Sequence, residues 1–367
     1  NEKDIAADAA QARKEIEQGK LLVDSGRSLI EAGLQKTRSL AEEYVLRVKA
    51  LMTDYAEPRR FELACHAYEQ GIELVRANLS EEELAKSLFE YGCFLQANKR
   101  YDLAEVRYRE NLDIYQRLAA ISPQVYEPDL AMVQNNLGTL YEDTRRYGES
   151  EEMFLSVMEI RRRLVAANPQ VYEPDLAGIQ NNLGILYKDT QRYEDSEKMY
   201  LSAMEIYRRL AAVNPQVYEP DLAMAQSNLG TLYKDTRRYE DSEKLCLSAM
   251  EIRRRLAAAN PQVYEPYLVR ACNNLSFLFL AQGNFEEAER YAREGAKYDS
   301  THHTIYTNLA ASLLLQGRYA EAEEIYLRYK EELKEDFLSD FEDFYRRGII
   351  PPEREDDVER IKKLLSK

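Results

Sequence analysis

Three segments of the chain are near copies of one another: NNLGTLYEDTRRYGESEEMF after Gln134, NNLGILYKDTQRYEDSEKMY after Gln180 and SNLGTLYKDTRRYEDSEKLC after Gln226. Their glycines, Gly138, Gly184 and Gly230, are 46 residues apart. The same step backward reaches Gly92 in LFEYGCFLQANKRYDLAEVRY, and forward it reaches Ser276 in NNLSFLFLAQGNFEEAERYA. A step of 34 then reaches Ala310, and a step of 40 before Gly92 reaches Met52, giving about seven units. A period between about 20 and 50 residues means a stacked array, because no single unit can bury its own apolar face.

Each unit reads as two helices. In the unit around Gly138, Pro128 of YEPDLA is placed at a helix start, where a missing N–H and a fixed φ cost little. Helix A then carries Val133, Leu137, Leu140 and Tyr141 as one stripe, and the polar run Asp143 to Arg146 ends it. Helix B carries Tyr147, Met153, Phe154, Val157, Ile160 and Leu164 until Asn168 and Pro169 stop it. Gly138 and the small Ser150 let the two helices approach closely.

A Leu-Gly pair, a Tyr three residues on, a small residue twelve on and an aromatic sixteen on stand here as Leu183, Gly184, Tyr187, Ser196 and Tyr200. This pattern resembles the tetratricopeptide repeat and recurs over about residues 45 to 330. The NNLG and RY segments, SAMEI at Ser202 to Ile206 and the Asn-Pro linker are similar to the kinesin-light-chain subtype, also found in bacterial regulatory proteins. The resemblance implies an all-α, right-handed superhelical solenoid with the A helices lining a concave face on which partners bind. The unit departs from the 34-residue form of the family in its 46 residues, and the extra length is assigned to helix B and to the NPQVYEP linker. Residues 1–40 read as an N-terminal helical segment, a hairpin or the root of a coiled coil; residues 41–330 as the array; residues 331–367 as a helical cap broken at Gly348 to Pro352.

Composition supports this reading and narrows the partners. Only 14 Gly and 11 Pro in 367 residues leave little turn chemistry for sheets. A formal charge of −15 repels a phosphate backbone, so nucleic acid is not expected as a partner. No apolar run approaches the roughly 20 residues of a membrane span, and a charged N-terminus gives no secretion signal. Cys65, Cys93, Cys246 and Cys272 lack CxxC spacing and fall within apolar helical patterns, as buried thiols of a reducing, cytoplasmic setting would.

Chemistry is sparse. Cys65 and His66 are neighbours, so on a helix they diverge by about 100° and form no nucleophile and base pair. His302 and His303 are adjacent in an interhelix loop and lack tetrahedral metal spacing. No phosphate-binding or nucleophile-elbow motif is present, so no catalytic residue, metal or cofactor is expected. The arginines at Arg161 to Arg163, Arg208 and Arg209, and Arg253 to Arg255 read as surface ion pairs, with Glu159, Glu205 and Glu251 each four residues before an arginine, the alternative being an anion-binding outer face.

The asparagines are the exception. Asn136, Asn182, Asn228, Asn274 and Asn308 each stand two residues before the glycine position, although asparagine is a mediocre helix former. In tetratricopeptide families the matching asparagines bind peptide backbone, and the resemblance carries that role to these five; the competing reading is interhelix hydrogen bonding that fixes repeat geometry. The stripe extends through Met132, Asn136, Thr139 and Asp143, then Gly178, Asn182, Ile185 and Asp189, then Met224, Asn228, Thr231 and Asp235, with Lys188 and Lys234 beside the acids. Lysines paired with aspartates disfavour a terminal carboxylate and favour an internal, extended segment of basic character. The expected function is a non-enzymatic, monomeric interaction scaffold or sensor. Two alternatives stay open: the regulatory arm of a STAND ATPase or CHAT protease whose catalytic domain lies elsewhere, and a self-assembling solenoid.

Overall fold

The computed structural model describes residues 2–54, 57–299 and 304–366, with side chains from residue 26 onward. The described chain is helical throughout and forms two compact units, residues 1–160 and 161–367. The first holds α1 (Glu2–Thr53), α2 (Arg60–Asn78), α3 (Glu81–Ala97), α4 (Tyr101–Ile121), α5 (Pro123–Asp143) and most of α6 (Tyr147–Ala167). The second holds α7 (Pro169–Asp189), α8 (Tyr193–Val213), α9 (Pro215–Asp235), α10 (Tyr239–Ala259), α11 (Pro261–Ala281) and α12 (Phe285–Tyr298). It continues through α13 (Thr304–Leu315), α14 (Tyr319–Arg328), α15 (Lys330–Arg347) and α16 (Glu355–Ser366). In each unit, consecutive helices pack as antiparallel pairs.

The close crossing predicted at the glycines is present. Gly184 lies against the ring of Tyr200, which is 1% exposed, and Ser196 Oγ donates to the Gly184 carbonyl at 2.7 Å. Gly230 repeats this with Cys246 and with Ser242 Oγ, also at 2.7 Å. In α11 and α12 the roles exchange: Ser276 occupies the glycine position and its hydroxyl donates to the Ala288 carbonyl at 2.7 Å. Gly138 and Gly92 likewise lie against the rings of Phe154 and Tyr108 within the first unit, but without that hydrogen bond: the buried Ser150 hydroxyl has no partner and Ala104 has no hydroxyl.

Successive pairs are fastened at their turns. Arg238 stacks over the Tyr233 ring at 3.8 Å and donates to Glu197 of the preceding pair at 2.8 Å, while Tyr233 Oη donates to the same carboxylate at 2.7 Å. In the first unit Arg146, Tyr141 and Glu105 form the same clip. The turn residue before each arginine, Lys99, Arg145, Gln191 or Arg237, is left-handed with φ near 60°. Gly283 and Gly317 take that role in the later turns.

Several boundaries differ from the sequence reading. The A helices begin at Pro123, Pro169, Pro215 and Pro261, not at the YEP proline, so Pro128 and Pro174 lie inside helices. The proline after Asn168 already suits the first helical position, and the Asn168 carbonyl accepts from Tyr172 N at 3.3 Å, so the helix starts one turn early. The unit is therefore two helices of 21 residues, a three-residue turn and one linking asparagine, with the extra length in both helices. At the N-terminus, α1 runs unbroken across residue 40, so the described residues 2–40 form one helix and no hairpin. Arg38 ties α1 to Glu83 of the α3 capping box at 2.6 Å. At the other end, Gly348 caps α15 in the left-handed region, and α16 buries Val358, Ile361 and Leu365 completely.

Cys246 and Cys272 are buried as expected, whereas Cys65 on α2 and Cys93 on α3 are half-buried, since they pack at the edge of the core cluster and not within it. The arginine pairing also differs. Arg209 and Arg255 bond Glu173 and Glu219 of the YEP motifs in the partner helix, at 2.9 and 2.7 Å. These partners take the place of the i, i+4 pairs expected with Glu205 and Glu251, because helix A now extends over the end of helix B.

Candidate binding face of the A helices

In the second unit the stripes of α9, α11 and α13 meet the C-terminal α15 around a cavity of about 290 Å³. Lys234 enters from α9, Asn273, Asn274 and Phe277 from α11, Thr304, Thr307 and Asn308 from α13, and Asp336 and Asp340 from α15. Three sequence-predicted residues, Lys234, Asn274 and Asn308, thus share one site. The two aspartates were missed, since residues 331–367 read as a cap. Both lie along one flank of the buried Leu333, Phe337, Phe341 and Phe344 stripe of α15.

Electrostatics in this cavity are strained in both signs. Burial pushes the Lys234 ammonium below its ordinary value, with Arg347 and Lys188 adding to the effect and Asp235 opposing it. Its Nζ stands 3.7 Å from Asp235 and 4.5 Å from the Phe277 ring centre. Burial likewise pushes the Asp340 carboxyl up to about 6, reinforced by Asp336 and Asp343 and opposed by a hydrogen bond from Thr307.

The asparagines do not act as one uniform ladder. Asn228 Nδ2 donates to Asn181 Oδ1 at 2.9 Å, and Asn308 Nδ2 donates to Asn273 Oδ1 at 2.8 Å and to the Asn273 carbonyl at 3.1 Å. These amides join neighbouring A helices, which is the competing reading of the motif. Asn136 lies in the first unit and donates to its own helix at Met132 O, 2.9 Å away. Asn182 is half-buried and Asn274 is exposed on the cavity wall.

The remaining predicted residues are placed as follows. Thr139 and Thr231 bond back to the carbonyls of Asn135 and Ser227 at 3.1 and 2.9 Å. Asp143 accepts from Gln96 at 3.1 Å. Lys188 pairs with Asp189 at 3.2 Å, and Asp235 lies 4.0 Å from Arg347 of α15. His66 is exposed, and His302 and His303 lie outside the described residues. Among the described residues no cluster of His, Cys, Asp or Glu has the arrangement to hold a metal, and no helix is long and apolar enough to cross a membrane.

Family models described as tetratricopeptide repeat match residues 130–169, 176–214 and 222–260, and a further one matches 278–336. No curated protein matches the sequence. Among solved structures, the apo form of RapI is 16% identical with a TM-score of 0.53, covering 77% of this chain and 97% of that one. BtubC (BKLC) from P. vanneervenii is 22% identical with a TM-score of 0.47, covering 72% and 91% respectively. A putative kinesin light chain from Podosopora anserina is 15% identical with a TM-score of 0.46, covering 59% and 94%. The chain is a tetratricopeptide-repeat protein, and its all-α helical pairs are those of that family. Such repeats are in general interaction scaffolds.

Proposed function

We propose that this chain is a non-enzymatic scaffold that binds an extended peptide segment of a protein partner along the A-helix face of residues 161–367, with a basic side chain of the peptide seated between Asp336 and Asp340. The observation that carries this reading is the cavity itself. It gathers two acids and the exposed Asn274 amide at the end of the predicted stripe. Asn274 is the amide of the ladder best placed to pair with peptide backbone, since Asn228 and Asn308 hold neighbouring helices together.

The test is a panel of extended peptides differing only in one central Lys, Gln or Glu, titrated by fluorescence anisotropy. Hydrogen bonds to charged groups contribute about 1.5 to 3 kcal/mol, so Asp336→Asn should weaken the Lys peptide by roughly one to two decades. Asn274→Ala should weaken all peptides that bind, and Arg162→Ala should weaken none. Equal affinity for Lys and Glu peptides, or no loss in Asn274→Ala, would overturn the assignment.

A further inference from the structure

At one place in the repeat, three B helices present long side chains 46 residues apart: Arg161, Tyr207 and Arg253. The A helices that follow present Asp175, Asp221 and Tyr267 at the same spacing. Where both members are the charged ones, they pair: Arg161 Nη1 lies 3.0 Å from Asp175. Tyr207 is buried and has Asp221 and Asp175 nearby. At the third position the acid has been replaced by Tyr267, yet the arginine remains.

Arg253 is 9% exposed. The titratable groups around it are Cys246, Arg270 and Tyr267, with no carboxylate among them. Its neighbours in sequence are engaged elsewhere, Arg254 with Glu294 and Arg255 with Glu219. A second cation stands beside this one. Arg270 occupies the position held by Met132, Gly178 and Met224 in the earlier units, is exposed, and lies 5.6 Å from the Tyr267 ring centre. The last interface has therefore lost an acid and gained a base at the same spot. No carboxylate neutralises this guanidinium, whose stem is buried while its nitrogens stay within reach of solvent, and its fork of donors matches a two-oxygen acceptor.

We infer that Arg253, with Arg270 at its rim, is a binding site for an oxyanion, the carboxylate or phosphoryl group of a ligand, which fills the place that Asp175 takes beside Arg161. This site stands independently of any peptide lying along the face. An acid restored at position 267 should compete with the ligand from within the chain.

The full chain is titrated with sodium phosphate or sodium acetate, chloride being adjusted to hold ionic strength constant, and melting is followed by circular dichroism. The expected result is a saturable rise in melting temperature for the wild type, since a ligand that binds the folded state stabilises it. Arg253→Met should melt no lower than wild type in anion-poor buffer and should lose the rise. Tyr267→Asp should melt higher than wild type and should also lose it, with apparent anion affinity down at least tenfold. A rise with phosphate alone assigns the site to phosphoryl groups; a rise with acetate as well assigns it to carboxylates. The inference is overturned if neither anion stabilises the wild type, or if the rise survives in both variants. No peptide enters this assay, so its failure leaves the peptide reading to its own test.

Discussion

Substituting Gly184 by alanine sets a methyl group 2.5 Å from Cε1 and 2.6 Å from Cδ1 of Tyr200. Carbon atoms in contact sit about 3.5 to 4.0 Å apart, so roughly an ångström of movement is demanded. Tyr200 is 1% exposed and cannot swing into solvent, and the Ser196 hydroxyl holds the Gly184 carbonyl at 2.7 Å, so the two helices must part. Overpacking of this kind costs about 1 to 3 kcal/mol, and alanine's better helix propensity returns about 1 kcal/mol. We expect a net loss of about 1 kcal/mol, and no more than about 2 kcal/mol. Gly178 on the same helix is the internal control: its added carbon would meet the Tyr207 hydroxyl at 3.6 Å, an ordinary contact. Gly178→Ala should therefore stabilise by about 0.5 to 1 kcal/mol, the propensity gain alone. Urea unfolding followed by tyrosine fluorescence suits a chain with 27 Tyr and no Trp. A Gly184→Ala protein that unfolds at or above the wild-type midpoint would refute the close-crossing argument, as would equal shifts in the two variants.

Two further outcomes are expected. The Asp340 carboxyl is pushed from 3.8 up to about 6, so its protonated form favours the fold; that stabilisation is complete below pH 3.8 and lost as pH rises through about 6. Asp340→Asn should thus be more stable than wild type at pH 7, by about 3 kcal/mol from a shift of about two pH units, and should match it near pH 3.5; melting curves showing the same difference at both pH values would exclude the effect. The thiols should react in two classes, with half-buried Cys65 and Cys93 labelled by a thiol reagent before Cys246 and Cys272, the last of which burial pushes up to about 12; uniform labelling of all four would contradict these positions.

Much of this architecture was legible in the sequence, because the determinants are short-range and repeated. The Gly184, Ser196 and Tyr200 spacing encodes a crossing that any single unit must make, and the structure makes it. The helix start was misplaced because two prolines compete, and only the Asn168 carbonyl bond shows that the earlier one begins the helix. The asparagines were singled out for their cost in a helix. That cost has two remedies, a bound peptide or a neighbouring amide, and sequence spacing within one helix does not fix the register between helices that joins Asn228 to Asn181. Asp336 and Asp340 were invisible as site residues for a similar reason, since nothing local tells α15 to fold the flank that carries them toward α11 and α13. Arg253 looked like its neighbours until the loss of an acid fourteen residues later was set against Arg161 and Asp175.

The exchange of hydroxyl donor between Ser196 and Ser276 has a consequence for how such arrays diverge. Positions twelve residues apart act as one two-letter word: Gly with Ser at 184 and 196, Ser with Ala at 276 and 288, and Gly with Ala at 92 and 104. At these positions the first two words each make one hydrogen bond to the opposite carbonyl, with its direction reversed. The third has no hydroxyl to donate, and it still permits the close crossing of α3 and α4 at Tyr108. A lineage can therefore move the donor from one helix to the other through the silent word, one substitution at a time, without passing through a crowded pair of serines. Selection at either position is blind unless the other is read with it, so the two sites should drift in concert while neither alone is fixed.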